Sequence, residues 1–554
     1  METTHNHKQF SGWFCLGLLI LAFFLVFVVY PLVLILYKSI ISPDGGLTLD
    51  YFSKFFGKRF YWSTLWNSVK VTVCSTLLAV AIGLPMAYVL RSVAIRGKKL
   101  VNILIAISYL SPPFIGAYAW IQMLGRNGLI TRIFNDLFGI TLPGIYGFAG
   151  IVLVFSLQSF PLIYMYVSGA LENLDNSLNE AAESLGCSVF QRVLRIITPL
   201  VMPTLLAGAL MVFMRVFSDF GTPMLIGEGY RTFPVLIYTQ FMGEVNTDDH
   251  FAAALCVIII VITLILFFLQ RVLAKRWSYS MTALKPMQPK QLRRMPNALA
   301  HSFVYLVLFL AMVPQLTVIA TSFLETEGGI VITGRFSLEN YQHTLLAKDN
   351  NAIVNTYLFG LMAILLVLVM GVLVSYITAR RRSAITPALD TVTMLPYIIP
   401  GSVLGIALLY AFNTPPFVLA GTAIIIIVAL SVRRMPYTIR SSSAIIGQIS
   451  PSMEEASISL GASERATFMR ITLPMMLPGI LSGAIMSWIT IISELSSSII
   501  LYTSSTRTLT VAIYAEVIRS NFGNAAAYST ILTATSILSL LLFFKLTGRR
   551  DISV

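Results

Sequence analysis

The sequence predicts an all-α polytopic membrane protein of about twelve transmembrane helices, arranged as two homologous six-helix halves in parallel repeat. Three observations carry that reading. Of 554 residues, 56% are hydrophobic and only 11% charged, where a soluble domain carries about a quarter charged. The apolar residues gather into runs of about twenty, the length that crosses ~30 Å of hydrocarbon as a helix. Helices are the expected spanning form because lipid offers the backbone no partners. Finally, the chain repeats itself: an offset of 275 superposes Glu180 on Glu455, Gly186 on Gly461, Arg195 on Arg470, Pro199 on Pro474 and Pro203 on Pro478.

Taken in order, the apolar runs give spans at about 13–37, 66–90, 100–124, 146–170, 200–219, 251–271, 301–323, 353–379, 387–411, 417–440, 475–500 and 525–546. The first run is too long for a signal-peptide core and lacks a cleavage-like end, so it reads as a span. Orientation follows from lysine and arginine. With the N-terminus in the cytoplasm, the cytoplasmic segments hold 25 Lys/Arg and the outer segments 11. Both termini are therefore expected in the cytoplasm. The net charge of +14 follows membrane topology rather than marking a nucleic-acid surface.

The repeat extends beyond the loops. Asn67, Gly83 and Tyr88 match Asn355, Gly371 and Tyr376, Leu110 and Gly116 match Leu395 and Gly401, and Pro161 matches Pro436. Six spans per half is an even number, so both halves face the same way. The halves are expected at 1–276 and 301–554, joined by a basic, proline-bearing cytoplasmic linker over 277–300.

The most closely duplicated parts are two polar loops, 171–203 and 441–478. One reads Glu180-Ala181-Ala182-Glu183-Ser184-Leu185-Gly186, the other Glu455-Ala456-Ser457-Ile458-Ser459-Leu460-Gly461. Ser177 and Ser452 stand three residues before the glutamates, the spacing of a capping box. Each copy therefore predicts a short helix that starts at the serine and stops at a left-handed glycine.

The pattern Glu-Ala-Ala, three residues, Gly, nine residues, Ile-x-Leu-Pro resembles the signature loop of ATP-binding-cassette importer permeases. The first copy departs at Thr198 and the second at Ser457. Each half resembles one such permease subunit, and the stretches Ser218–Pro223 and Ser493–Ser498 are similar to the fused ferric-iron-type group. Related fused permeases serve phosphonates, hexose phosphates, thiamine and polyamines. The resemblance implies that Ser177, Glu180, Ala181, Ala182, Gly186, Pro199, Ser452, Glu455, Ala456, Gly461 and Pro474 form the coupling surface. Two copies of a separate ATP-binding subunit would dock there, and an extracellular or periplasmic solute-binding protein would deliver the substrate. ATP and Mg would sit on the partner subunits. Neither Gly57-Lys58 nor Gly97-Lys98 has a glycine five residues before it, so no phosphate loop is expected in this chain. It reads as a bacterial inner-membrane transport subunit, not an enzyme. No metal site, bound cofactor or nucleic-acid partner is expected. An ion-gradient-driven secondary transporter is the rival class, and a membrane anchor or scaffold is the non-transport rival.

Charges inside spans cost about 2.5–3.5 kcal/mol each on insertion scales and so mark candidate function. Asp219 and Glu494 hold matched positions at the ends of spans five and eleven, where they could draw a cation into the path or simply sit hydrated at the outer interface. Arg433 and Arg434 match Gln158 and Ser159 in mid-span. They either line a wet cavity, able to hold an anion, or end span ten as positive-inside markers. Arg215 is expected to pair with Asp219, one turn on.

Overall fold

Apolar helices dominate the described residues. The computed structural model describes residues 12–172, 174–243, 248–276, 288–328, 331–346 and 351–547. Among these, nine helices are long and apolar enough to cross a membrane: Gly12–Ile40, Arg59–Ser92, Phe148–Glu172, Val189–Ser218, Asp249–Gln270, Arg294–Ser322, Ala352–Arg380, Glu464–Ile492 and Phe522–Leu542. A further helix, Ala423–Ile446, stands where the tenth span is expected. Its three arginines, Arg433, Arg434 and Arg440, set it apart from a lipid-facing span, and most of its apolar side chains are buried.

Spans three and nine depart from expectation. Each is a pair of helices meeting at a sharp bend: 98° between Lys98–Tyr109 and Pro113–Phe138, and 112° between Thr386–Ile398 and Gly401–Phe412. The physical cause is proline. Pro112 and Pro400 lack the N–H that would continue the ladder, and they push Ser111 and Ile399 into extended backbone. The linker also ends sooner than expected, because the seventh span begins at Arg294. Residues 277–287 of that linker lie outside the described residues. The only sheet among the described residues is a small antiparallel hairpin, Leu324–Glu327 with Val331–Phe336.

The duplication is exact in register. Helices Ser177–Ser184 and Ser452–Ser459, short helices Val189–Arg192 and Glu464–Thr467, and π-helical turns Val193–Ile197 and Phe468–Thr472 all recur at the 275 offset.

Packing within each half follows the repeat. Arg59–Ser92 lies along Phe148–Glu172, and Ala352–Arg380 lies along Ala423–Ile446. The first helix of each half packs on the last helix of its own half, Gly12–Ile40 on Asp249–Arg276 and Arg294–Ser322 on Phe522–Thr547, and also reaches across to the other half. Gly12–Ile40 rests on Thr386–Ile398 and Gly401–Phe412, with Trp13 against the rings of Tyr376 and Phe468. Arg294–Ser322 rests on Pro113–Leu124, where Thr321 donates to the Gln122 side-chain oxygen at 3.1 Å. This crossing locks the two bundles around a shared centre.

Candidate functional site

The two polar loops present matched short helices, Ser177–Ser184 and Ser452–Ser459. In each, the chain leaves the helix through a left-handed glycine, Gly186 at φ +82° and Gly461 at φ +90°. The Cys187 N–H reaches back to the Ala182 carbonyl at 3.0 Å, and the Ala462 N–H to the Ser457 carbonyl at 3.1 Å. That six-to-one bond closes the helix end and needs a residue free to adopt positive φ.

The expected capping boxes are not formed. Ser177 and Ser452 are the first helical residues, and the residues before them, Asn176 and Pro451, are already in the helical region. A cap requires an extended residue whose side chain turns back. Instead, the Asp175 carboxylate accepts from the Ser177 N–H at 2.9 Å and the Asn176 amide donates to Glu180 at 2.9 Å. The full box lies one helix later: Ser188 accepts from the Gln191 N–H at 3.3 Å, and Gln191 accepts from the Ser188 N–H at 3.0 Å. Ser463 repeats half of it, accepting from the Ala466 N–H at 3.2 Å. The spacing Ser188-x-x-Gln191 was a visible signal for it.

Of the other loop residues, Glu455, Ala181 and Ala456 are exposed, whereas Ala182 is buried. Pro199 and Pro474 each stand in the first turn of the following span, just past the π-helical turn. Sequence reasoning missed Leu185 and Leu460. They occupy the same position before the glycine and are 84% and 89% exposed. An identical bare leucine in two polar loops was the signal.

The loops are braced differently. Glu183 is paired with Arg192 at 2.8 Å and with Lys290 of the linker at 3.1 Å. These two cations, Lys290 foremost, hold its carboxyl below the usual range. Lys290 also exchanges backbone bonds with Ser92 and Ala94. In the second loop, the buried Glu454 accepts from Tyr376 at 3.2 Å and from Thr472 at 3.0 Å, with Arg380 at 3.5 Å.

The structure gathers all five intramembrane candidates into one cavity of about 260 Å³ between the halves: Arg215, Asp219, Arg433, Arg434 and Glu494 line it. The broken spans supply part of its wall through Ser111–Phe114 and Tyr397–Ile399. Asp219 and Glu494 play the same local role. The Asp219 carboxylate accepts from the Thr222 N–H at 3.0 Å, and the Glu494 carboxylate from the Ser497 N–H at 3.0 Å, again 275 residues apart. Each thereby ties down the turn that follows its helix.

Beyond that the halves differ. Arg433 and Arg434 lie in mid-helix, so they do not end span ten, and both donate to the buried Glu494 carboxylate. Their counterparts Gln158 and Ser159 bring no charge to Asp219. The Gln158 amide instead donates to the Pro113 carbonyl at 2.9 Å. The expected Arg215–Asp219 pair is not formed among the described residues. Asp219 has left the helix for extended backbone, φ −78° and ψ 130°, so the one-turn spacing no longer holds. The Arg215 guanidinium lies over the Tyr109 ring, 4.6 Å from its centroid.

Comparison with known proteins gives a coherent picture. The family model described as "binding-protein-dependent transport system inner membrane component" matches residues 79–279 and 371–550, once in each half. A ferric transport system permease protein of Actinobacillus pleuropneumoniae is 27% identical over 96% of this chain and 77% of its own length. An Fe(3+)-transport system permease protein of Haemophilus influenzae is 25% identical over 86% of this chain and 89% of its own. A molybdenum transport system permease protein of Escherichia coli is 29% identical, covering 39% of this chain and 93% of its own length.

Proposed function

The chain belongs to the binding-protein-dependent transport system inner membrane components, and from that premise we propose the solute it carries and the partners it works with. It is the membrane-spanning permease of an ATP-binding-cassette importer, with both halves fused in one chain. Its solute is ferric iron. The observation that carries this is the pair of iron-transport relatives that align along almost the whole chain, both halves included.

Two copies of one ATP-binding subunit dock on the matched loop helices at the cytoplasmic face. Ser177, Glu180, Ala181, Ala182, Gly186 and Pro199 form one contact, and Ser452, Glu455, Ala456, Gly461 and Pro474 the other, with Leu185 and Leu460 as the apolar anchors. Two near-identical handles on one face suit two copies of a single motor. ATP and Mg bind on those subunits, and both chain termini lie on the same cytoplasmic side. A binding protein outside the membrane hands the solute to the cavity between the halves.

Proteoliposomes holding this chain, its ATP-binding subunit and its binding protein test the reading. Uptake of radioactive iron is expected only with ATP on the side of the loops. Uptake that persists on an ion gradient alone would assign the chain to secondary transport instead. ATPase activity that no binding protein stimulates would favour a scaffold.

A further inference from the structure

The cavity between the halves is electrically lopsided. Its lining carries three guanidinium groups, Arg215, Arg433 and Arg434, against two carboxylates, Asp219 and Glu494. Glu494 is saturated: its side chain is 2% exposed, it receives both Arg433 and Arg434, and it also accepts the Ser497 N–H. The two acids therefore do not form a joint cation site. One carboxylate, Asp219, remains to offer a cation, and one of its oxygens already serves Thr222. Among the described residues no group of three His, Cys, Asp or Glu side chains stands close enough to hold a metal. A small, highly charged cation takes about six oxygen ligands, and this lining opposes it with a net positive charge.

The remaining lining suits the opposite sign. Arg215 is not engaged in an ion pair among the described residues, and its guanidinium lies over the Tyr109 ring, so no carboxylate among them competes for its N–H donors. The hydroxyls of Ser218 and Ser493 and the phenol of Tyr437 stand around the same space, whereas those of Thr490 and Tyr397 already donate to the Met486 carbonyl and the Met211 sulfur. Guanidinium and hydroxyl donors in a partly dry cavity are the groups that hold carboxylate and phosphate oxygens.

We infer that the solute crosses this cavity as an anion, either a free oxyanion or a metal ion still wrapped in its carboxylate or phosphate ligands, with Arg215 as the specificity-determining contact. The inference rests on the importer reading and sharpens it: an iron importer built this way moves the complex, not the bare ion.

The test uses proteoliposomes holding the whole transporter, loaded with ATP. The probes are ferric citrate and ferric phosphate with separate labels on metal and anion, and free phosphate alone. Metal and anion labels entering together in a fixed ratio support the inference. Phosphate entering without iron also supports it, while removing the ferric reading. Iron entering without either anion label overturns the inference and leaves the ferric reading standing, and uptake of none of the probes overturns both.

Two variants give the test a sign. Arg215→Gln is expected to lower uptake by roughly tenfold or more, the loss of one charge-assisted hydrogen bond, with part of the rate recovered in Arg215→Lys. Asp219→Asn keeps an oxygen for the Thr222 N–H and removes the opposing charge, so uptake is expected to hold or rise. A cation site demands the reverse. A large loss in Asp219→Asn with Arg215→Gln unaffected, both variants inserting normally, overturns the inference.

Discussion

Arg433 stands in the space that a side chain on Gly401 would need: a Cβ built there falls 1.9 Å from the guanidinium. The same holds in the other half, where a Cβ on Gly116 would fall 1.8 Å from the Gln158 amide. Each glycine opens the second arm of a bent span so that the side chain from the neighbouring helix can enter. In one half the visitor is an ion that goes on to Glu494, and in the other a neutral amide that ends on Pro113. The two bends share a design and differ in charge.

Gly401→Ala is therefore expected to evict Arg433 from Glu494. Breaking one arm of a buried ion cluster costs about 3–5 kcal/mol, so the unfolding midpoint in detergent should fall clearly. Glu494→Gln, which strands both arginines, should fall at least as far. Asp219→Asn should move the midpoint little, because Asp219 has no such cluster to lose. Equal stability of wild type and Glu494→Gln would show that the cluster is not structural.

Gly461 tests the loop itself. A side chain there meets nothing within 4 Å, so the cost is backbone alone, roughly 1–2 kcal/mol for a left-handed residue. Gly461→Val should stop ATP-driven uptake while the chain inserts and folds. Gly461→Asn, which tolerates positive φ, should restore much of it. Full activity of the valine variant would remove the glycine from coupling.

Leu185→Asp and Leu460→Asp separate docking from folding. Both side chains face solvent, so chain stability should change by no more than about 0.5 kcal/mol. Co-purification of the ATP-binding subunit should fall with each change and be lost with both. Unaltered co-purification of the double variant would place the docking surface elsewhere.

Glu183 predicts a pH response on one side only. Its carboxyl is held below the ordinary glutamate range by Lys290 first and Arg192 next. A depressed carboxyl stabilises the folded contact above its unfolded value, and that help is lost as pH falls through the folded value. The clasp between linker and first loop is thus complete at neutral pH and released only in acid, below the ordinary glutamate range. Protection of the 177–186 amides, taken relative to their intrinsic exchange rate at each pH, should fall there in wild type and be low at every pH in Glu183→Gln. Protection that stays constant with pH in wild type would show that the clasp carries no weight.

Much of this is legible in the sequence alone. The offset that aligns Glu180 with Glu455 also aligns Asp219 with Glu494 and Arg433 with Gln158, and the structure keeps all three correspondences in space. What the sequence hid has physical causes. A hydropathy run scores Lys98–Leu124 alike whether Pro112 kinks the helix or folds it back. Ser177 has the spacing of a cap, but spacing cannot say that Asn176 is already helical. Arg215 and Asp219 are one turn apart only while the helix lasts, and it stops at Ser218. The crossing of first helices to the other half was invisible because Gly12–Ile40 would be equally content against either apolar bundle.

That crossing sets a timetable for assembly. Trp13 finds Tyr376 and Phe468 only after more than half the chain has been made, which at 5–20 residues per second is on the order of tens of seconds. Until then the amino-terminal part of the opening helix must wait in lipid without those rings, while its carboxy-terminal part already rests on Asp249–Arg276. The bundle made first is thus unfinished by construction, and a ribosome that stalls midway leaves an open flank for quality control to recognise.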